Sequence, residues 1–263
     1  MTGARMTSPD SADVRPGRER ALVACLACLV ALCWACLVFR ALRLATIEPA
    51  PGPLLAAPAP YRTQQLLLVL AMWGAVLWAI ALPAAGSVIL LFAQLRRRAQ
   101  AVRHPQRDTM IFVAGYLLAW GGFGALATLA QWALHDLGAL DTGMAVMNPR
   151  ACGLLLIAAG VYQWTPCKHA CLQQCRAPHS FLVAAWRPGA IGALRMGGAH
   201  GMNCIGCCAL LMLLPFAAGV INLVALLALA ALVLAETLLP GGPLFACLGG
   251  LALVAWGTRL LFP

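Results

Sequence analysis

Long runs that are almost free of charged residues dominate the chain and predict helices that cross a membrane. The first run covers Ala21 to Leu42, the second Leu66 to Leu95 and the third Thr109 to Leu134. Each run is long enough to cross a hydrocarbon core of about 30 Å as an α-helix. The pattern therefore predicts an all-α fold, a polytopic bundle of transmembrane helices.

Shorter or interrupted apolar runs follow in the second half and bring the expected number of spans to six or seven. A fourth span is predicted from about Cys152 to Trp164, and a last one from Leu244 to Leu261. Between them, the stretch from Cys207 to Leu239 carries a single charge, on Glu236. This stretch would exceed a bilayer core as one helix, so we divide it near Gly219 to Asn222 into two short spans.

The few charged residues lie between these runs and predict how the protein is oriented. The chain has 18 Lys and Arg against 8 Asp and Glu, a net charge of +10. Because the basic residues flank the predicted spans, membrane topology explains them, and we do not expect a nucleic acid as a partner. The segments from Arg96 to Arg107 and from Lys168 to Arg195 should face the cytoplasm. The amino terminus then lies in the cytoplasm, and the protein in the inner membrane.

The chain is expected to form one folded unit behind a short tail. Residues 1–20 are polar, lack a convincing cleavable signal peptide and are interpreted as a disordered cytoplasmic tail. Residues 21–263 are interpreted as a single transmembrane helical domain in contact with the lipid bilayer. The Pro-rich segment from Glu48 to Pro60 should form an extended loop on the outer side.

Two clusters of cysteine and histidine lie within residues 165–208, between the apolar runs. In the first, Thr165 is a suitable N-cap and Pro166 a suitable first helical residue. The helix that follows would place Cys167, Cys171 and Cys175 on one face, at i, i+4 and i+8. Thiols in such a polar segment point to metal binding, and the alternative is a packing stripe of small residues.

The second cluster combines glycines with a C-x-x-C pair. Gly197, Gly198 and Gly201 predict a flexible approach to Cys204 and Cys207, whose spacing is typical of metal and redox sites. The string from Gly201 to Cys207 resembles the G-M-x-C-x-x-C loop of soluble heavy-metal-associated copper chaperone domains, although the small domain around that loop is absent here. The alternative is a helix start whose small residues allow close packing.

The donor types favour a soft metal ion. No acidic residue occurs from Thr142 to Ala235, so a site here has thiolate and imidazole donors without carboxylate oxygen. Such donors favour Cu(I), with Zn as the main competitor, over Mg or Ca. Four cysteines within the first span, Cys25, Cys28, Cys33 and Cys36, are interpreted as packing residues. The first-choice metal ligands are Cys171, Cys175, Cys204 and Cys207, and the second-choice ligands are Cys167, Cys208 and His200.

Two charged residues stand out by their rarity. Lys168 is the only lysine of the chain, and Glu236 is the only acidic residue after Asp141. An acidic residue within or near a membrane span is a candidate for function. The sequence leaves both readings open for each of these residues, a functional role and an ordinary one.

At these motifs the chain resembles the bacterial predicted metal-binding integral membrane proteins, a domain family of unknown function. The resemblance covers roughly Leu66 to Pro240 and implies metal binding and a helical membrane fold. The chain departs from that pattern at Ala209, Thr237 and Ile80-Ala81-Leu82, where Trp, Lys and Met-rich residues are expected. The matching motifs are Tyr162-Gln163, Thr165-Pro166, Lys168, Cys171-Leu172, Cys175-Arg176, Pro178, Trp186-Arg187, Gly189, Gly192-Ala193, Gly197, His200-Gly201, Cys204, Gly206-Cys207-Cys208, Leu211-Met212, Gly219, Asn222, Glu236 and Pro240.

Three functional hypotheses follow. The first is a non-enzymatic inner-membrane protein that binds Cu(I) for copper handling and exchanges it with a donor or acceptor protein. The second is a membrane thiol-disulfide oxidoreductase in which Cys204 and Cys207 cycle with Cys171 and Cys175. The third is a structural subunit whose cysteines only pack. We expect the two clusters to meet in space, because they flank spans that should be neighbours and neither alone forms a closed site. A sulfur of Cys171 or Cys175 should lie within about 4 to 8 Å of one of Cys204 or Cys207.

Overall fold

Ten α-helices and one short 3-10 turn make up the described part of the chain, residues 16–46, 63–98, 104–141 and 144–262 of a computed structural model. These ranges contain no strand, only an isolated bridge between Leu140 and Val146. Most of the predicted tail and the Pro-rich loop lie outside them, and the first helix begins before the predicted span. The helices are α1 (Pro16–Thr46), α2 (Thr63–Arg98), α3 (Pro105–Asp136), α4 (Pro149–Tyr162), α5 (Pro166–Arg176), α6 (Pro178–Ala184), α7 (Gly189–Cys208), α8 (Pro215–Ala218), α9 (Leu223–Leu238) and α10 (Gly242–Leu261), with the 3-10 turn at Leu211–Leu213.

The all-α prediction is confirmed, whereas the predicted number of spans is not. Within the described residues, four helices are long and apolar enough to cross a membrane: α1, α2, α3 and α10. A fifth candidate is α7 together with residues 211–218, a pair bent by 75°. Helices α4 and α9 are apolar but have only 14 and 16 residues. They fall short of the roughly 20 residues that a straight span requires.

The break predicted in the long apolar stretch near Gly219 is present. Gly219 has φ 90°, a conformation that glycine adopts without the steric cost of a side chain. Asn222 then caps α9, because its side-chain oxygen accepts a hydrogen bond from the backbone N–H of Ala225 at 3.2 Å. The stretch therefore turns between α8 and α9 where the sequence indicates.

The flexible approach predicted at the second cluster is wrong. Gly197 and Gly201 lie inside the continuous helix α7 and face α3. A Cβ atom placed on Gly201 would lie 2.7 Å from Cβ of Ala119, and one on Gly197 would overlap the carbonyl of Phe112. These glycines allow two helix backbones to approach each other closely, which outweighs their low helix propensity.

Helices α4 and α10 pack antiparallel through a second set of glycines. A Cβ atom placed on Gly153 would lie 2.8 Å from the carbonyl oxygen of Gly257. One placed on Gly160 would lie 2.6 Å from the carbonyl oxygen of Gly250. The paired glycines hold the end of α4, and with it the start of α5, against α10.

The connection between α6 and α7 is fixed to the ends of α2 and α3 by a buried arginine. Arg96 is 2% exposed, forms an ion pair with Asp108 at 3.6 Å and donates to the carbonyl of Arg187 at 2.9 Å. Its guanidinium carbon also lies 4.8 Å from the ring centroid of Trp186. The sequence explains Arg96 as one of the positive charges that orient the protein in the membrane, and the structure shows that it also connects α2, α3 and the α6–α7 segment.

Glycine substitutions should separate close packing from helix propensity. We expect Gly160→Ala to destabilise the protein by about 1–3 kcal/mol, because the added methyl group meets a backbone carbonyl that cannot yield without separating the helices. The matched control is Gly121→Ala in α3, where nothing lies within 4 Å of the added Cβ. This control should stabilise the helix by up to about 1 kcal/mol. Thermal unfolding in detergent measures both, and equal shifts would contradict the packing interpretation.

Candidate metal centre

Helix α5 forms as its sequence predicts and presents its three cysteines on one face. The hydroxyl of Thr165 accepts a hydrogen bond from the backbone N–H of Lys168 at 3.3 Å, and Pro166 occupies the first turn. The helix ends at Arg176. Along its face, burial increases in the chain direction from exposed Cys167 through half-buried Cys171 to Cys175, which is 4% exposed. These three cysteines are the candidate metal ligands of α5.

The end of α7 contributes the second set of donors. His200, Cys204, Cys207 and Cys208 are all buried and share one helical face, at i, i+4, i+7 and i+8. The sulfur atoms of Cys207 and Cys208 lie 3.1 Å apart, and the Cys207 thiol donates to the carbonyl of Cys204 at 3.1 Å. The C-x-x-C pair therefore lies within a helix rather than in a loop.

The two clusters meet between α5 and α7, as expected from the sequence. The sulfur atoms of Cys175 and Cys204 are 3.8 Å apart, just below the expected range. Two thiolates that bind one tetrahedral ion at about 2.3 Å lie at a similar separation, about 3.8 Å. Further along α5, the Cys171 sulfur lies against Gly206 of α7, at 2.9 Å from the position that a Cβ atom would take. The pairing therefore brings donors from both helices into reach of one ion.

Two tyrosines line the thiols, and sequence reasoning missed both as site residues. The Tyr116 hydroxyl donates to the carbonyl of Ala81 at 2.8 Å and lies 3.5 Å from the Cys204 sulfur. The Tyr162 hydroxyl donates to the carbonyl of Gly206 and lies 3.8 Å from the Cys167 sulfur. Tyr162 belongs to the motif that carries the family resemblance. Tyr116 carries no such signal, since an aromatic residue in an apolar run indicates only packing.

His200 is enclosed by aromatic rings one helical turn before Cys204. Its ring centroid lies 5.6 Å from that of Tyr116, 5.1 Å from Phe181 and 6.4 Å from Phe112. The side chain is 1% exposed, and neither ring nitrogen has a hydrogen-bond partner in the described part of the protein. A buried imidazole without a partner is costly, by about 1–3 kcal/mol. A neutral imidazole can therefore offer its unprotonated nitrogen to a ligand here.

The two rare charged residues form one buried ion pair. The Lys168 ammonium donates to Oε2 of Glu236 at 2.6 Å, and the two side chains are 0% and 1% exposed. Oε1 of the same carboxylate accepts a hydrogen bond from Nε2 of Gln163 at 2.7 Å. Both carboxylate oxygens are therefore engaged, and α5 is tied to α9 and to the end of α4.

Arg176 secures the other end of α5. Its guanidinium donates to the carbonyls of Glu236 at 2.6 Å and of Leu239 at 2.7 Å, where α9 ends. A cation at a helix C-terminus also interacts favourably with the helix dipole. Together with Lys168, it fixes α5 against α9 at both ends, so that the thiol face remains directed at α7.

Among the described side chains, the candidate thiols approach one another but do not enclose a complete ligand set. In the parts of the chain that the structure describes, no three Cys, His, Asp or Glu side chains are arranged to hold one metal ion. All twelve cysteines are free. Cys152 packs with its thiol on the carbonyl of Val146 at 3.3 Å, and Cys247 is exposed. The remaining cysteines lie on α1, away from the pairs on α5 and α7: Cys25, Cys28, Cys33 and Cys36.

Burial and neighbouring sulfur atoms raise the pKa of two thiols of α5, those of Cys171 and Cys175. Burial, and then its neighbours Cys167 and Cys208, raise the pKa of the Cys171 thiol. The pKa of the Cys175 thiol lies well above its usual range, because that thiol hydrogen-bonds to Cys204 and is buried. Metal ions bind the thiolate form. Binding of a metal ion here must therefore release protons.

The chain matches a family of copper-handling proteins over residues 70–260. That family is PpoB2, described as a copper chaperone, and because the match covers more than half of the chain, the protein belongs to it. The match extends past Pro240 and supports a copper-related family, where the sequence predicted a family of metal-binding proteins. No curated protein and no solved structure is significantly similar to the chain. Copper handling is therefore the function that the family assigns.

Removing one partner of the buried ion pair should destabilise the fold strongly. Lys168→Met leaves a buried carboxylate without its cation, which costs about 3–5 kcal/mol. The double variant Lys168→Met/Glu236→Met removes both charges and should recover more than half of that loss. Thermal unfolding of wild type, Lys168→Met and the double variant in the same detergent measures the loss of stability and its recovery. A double variant no more stable than Lys168→Met would show that the two charges do not stabilise each other.

Proposed function

We propose that this protein binds Cu(I) between α5 and α7 and exchanges it with a donor or acceptor protein. The observation that carries the proposal is the 3.8 Å separation of the Cys175 and Cys204 sulfur atoms, which belong to two different helices. Cys171 and Cys207 complete the proposed core set that holds the ion, with Cys208 and His200 as further donors to it. The family's description as a copper chaperone supports copper as the cargo.

The donor arrangement favours Cu(I) over zinc. Structural zinc sites are almost always closed by four ligands in a tetrahedron. Among the described residues no three donors are arranged to hold one ion, whereas the pair of Cys175 and Cys204 suits Cu(I), which accepts as few as two soft donors. Oxygen donors are also scarce, because the Glu236 carboxylate is already bound by Lys168 and Gln163. We therefore infer that Cu(I) is the bound form and that Zn is a weaker competitor.

The proposed location is the inner membrane, with the amino terminus in the cytoplasm. Four helices qualify as spans by length and composition, and the bent pair of α7 and residues 211–218 adds a fifth. If α4 and α9, which are apolar but short, also enter the bilayer, the total is the expected six or seven. The polar helix α5 then lies at the cytoplasmic surface, where a copper-carrying protein has access to it.

The thiol-disulfide oxidoreductase remains the second candidate. The same pair of sulfur atoms would have to approach from 3.8 Å to about 2.05 Å to form a disulfide. A movement of this size is within reach of two side chains that rotate. Copper handling ranks first because the family description names it and because no cofactor or electron carrier is needed.

Copper binding should depend on the pair that joins the helices. We expect wild-type protein in detergent, reduced and kept anaerobic, to take Cu(I) from a chromophoric chelator and to show sulfur ligands by X-ray absorption. Cys175→Ser/Cys204→Ser should weaken binding at least tenfold, because hydroxyl oxygen is a poor ligand for a soft ion. The control with two equally conservative changes is Cys28→Ser/Cys36→Ser on α1, where both cysteines are exposed. This control should bind as wild type does.

Unchanged Cu(I) affinity of Cys175→Ser/Cys204→Ser would contradict the assignment of the site to these two cysteines. Thiol alkylation across a series of redox potentials tests the alternative function on the same proteins. A reversible Cys175–Cys204 disulfide, together with no Cu(I) binding, would favour the oxidoreductase.

The proposed topology can be tested by labelling on two faces. Ala184 is exposed at the end of α6, and Leu137 is 79% exposed at the end of α3. We expect an impermeant maleimide to label Ala184→Cys only in inside-out vesicles and Leu137→Cys only in right-side-out vesicles. The label gained over the unmodified protein is the quantity measured. Labelling of both variants from one side would contradict the orientation derived from the positive charges.

A further inference from the structure

The cysteines of α5 form a graded series from the surface to the interior. Cys167 is exposed, Cys171 is half-buried and Cys175 is 4% exposed. Successive members are four residues apart, which corresponds to about 6 Å along the helix axis. A ligand ion that enters at the surface would therefore meet the three thiols in this order.

Helix α7 connects the steps of this series. Cys171 follows exposed Cys167 by about one turn on the same face of α5, and its sulfur lies against Gly206 of α7. The Cys208 sulfur lies 3.1 Å from that of Cys207. Cys175 lies a further turn along α5, and its sulfur is 3.8 Å from that of Cys204. Thiols of both helices thus lie along the way from the exposed end of α5 to the buried pair.

Two local features keep the first step of this series in place. Gly206 lies opposite Cys171, and a Cβ atom there would lie 2.9 Å from the Cys171 sulfur, closer than real side chains come. The Tyr162 hydroxyl lies 3.8 Å from the Cys167 sulfur and also binds the carbonyl of Gly206. The exposed thiol and the half-buried thiol are therefore both positioned against α7.

We propose that Cys167 is the entry thiol, the residue at which a partner that carries Cu(I) on accessible thiolates delivers its ion. This inference rests on the proposed function. Copper then moves by ligand exchange from Cys167 to Cys171 and on to the buried pair of Cys175 and Cys204. In each exchange the incoming thiol loses its proton when it binds, and the outgoing thiolate takes up a proton. Copper stays Cu(I) throughout, so that no oxidant or reductant is required.

The pairwise arrangement of the thiols suits such a transfer. A site with four converging ligands would hold its ion until all of them had been displaced. Among the described residues no three donors are arranged around one ion, so each exchange would replace one sulfur ligand by its neighbour. Cys167 then has a different role from Cys175, because it determines how fast copper is loaded and not how much is held at equilibrium.

Loading kinetics test this division of roles. We expect Cys167→Ser to bind the same amount of Cu(I) as wild type at equilibrium, but to load at least tenfold more slowly from a Cu(I)–glutathione complex in a stopped-flow experiment. The matched control is Cys28→Ser, an exposed cysteine of α1, which should load at the wild-type rate. Equal loading rates for Cys167→Ser and wild type would overturn the entry role. So would a lower stoichiometry in Cys167→Ser, since Cys167 would then be a holding ligand.

A second measurement on wild-type protein separates this inference from the proposed function. With one equivalent of Cu(I), mass spectrometry after alkylation should find Cys175 and Cys204 modified more slowly than in the copper-free protein, and Cys167 modified at the same rate as in it. Protection of Cys167 before Cys175 would overturn the proposed route while leaving copper binding intact. Protein that binds no Cu(I) at all would overturn the proposed function, and the route with it.

Discussion

The buried ion pair between Lys168 and Glu236 fixes the helix on which the candidate metal centre depends. Helix α5 is short and polar, and its own propensity would not hold it against an apolar bundle. The ion pair, the hydrogen bond from Gln163 to the same carboxylate and the contacts of Arg176 with the end of α9 anchor it at both ends. Each partner is costly to bury alone, so the two residues require each other.

Glycine contacts complete the frame around that anchor. Gly160 lets α4 approach α10, and so sets where α5 begins. Gly197 and Gly201 let α7 approach α3, and so set where Cys204 and its neighbours lie. In a bundle of such apolar helices, close backbone contact at glycine adds van der Waals packing between the helices. The thiol pairs are therefore positioned by steric fit and one ion pair rather than by ligands of their own.

Local signals predicted the parts of the structure that depend on local sequence. Thr165 and Pro166 fixed the start of α5, and the four-residue spacing placed its cysteines on one face. Gly219 marked the turn before α9. The predictions that failed concern contacts between residues that are distant in sequence. A run of glycines such as that in α7 is compatible with a loop and with a close helix contact, so the sequence does not distinguish them. The number of spans depends on whether α4 and α9 cross the membrane, and hydropathy alone does not decide this for helices so short. Likewise, Lys168 and Glu236 are 68 positions apart, and only the folded chain shows that they pair.

The way in which Glu236 is neutralised has a consequence for selectivity in the cell. Mg²⁺ is abundant there and prefers carboxylate oxygen, so a free acidic side chain beside the thiols would attract it. Both oxygens of the Glu236 carboxylate are already occupied, by an ammonium group and by an amide. Glu236 therefore offers a hard cation no free carboxylate oxygen. The lysine that anchors α5 thus also occupies the group that such an ion would bind.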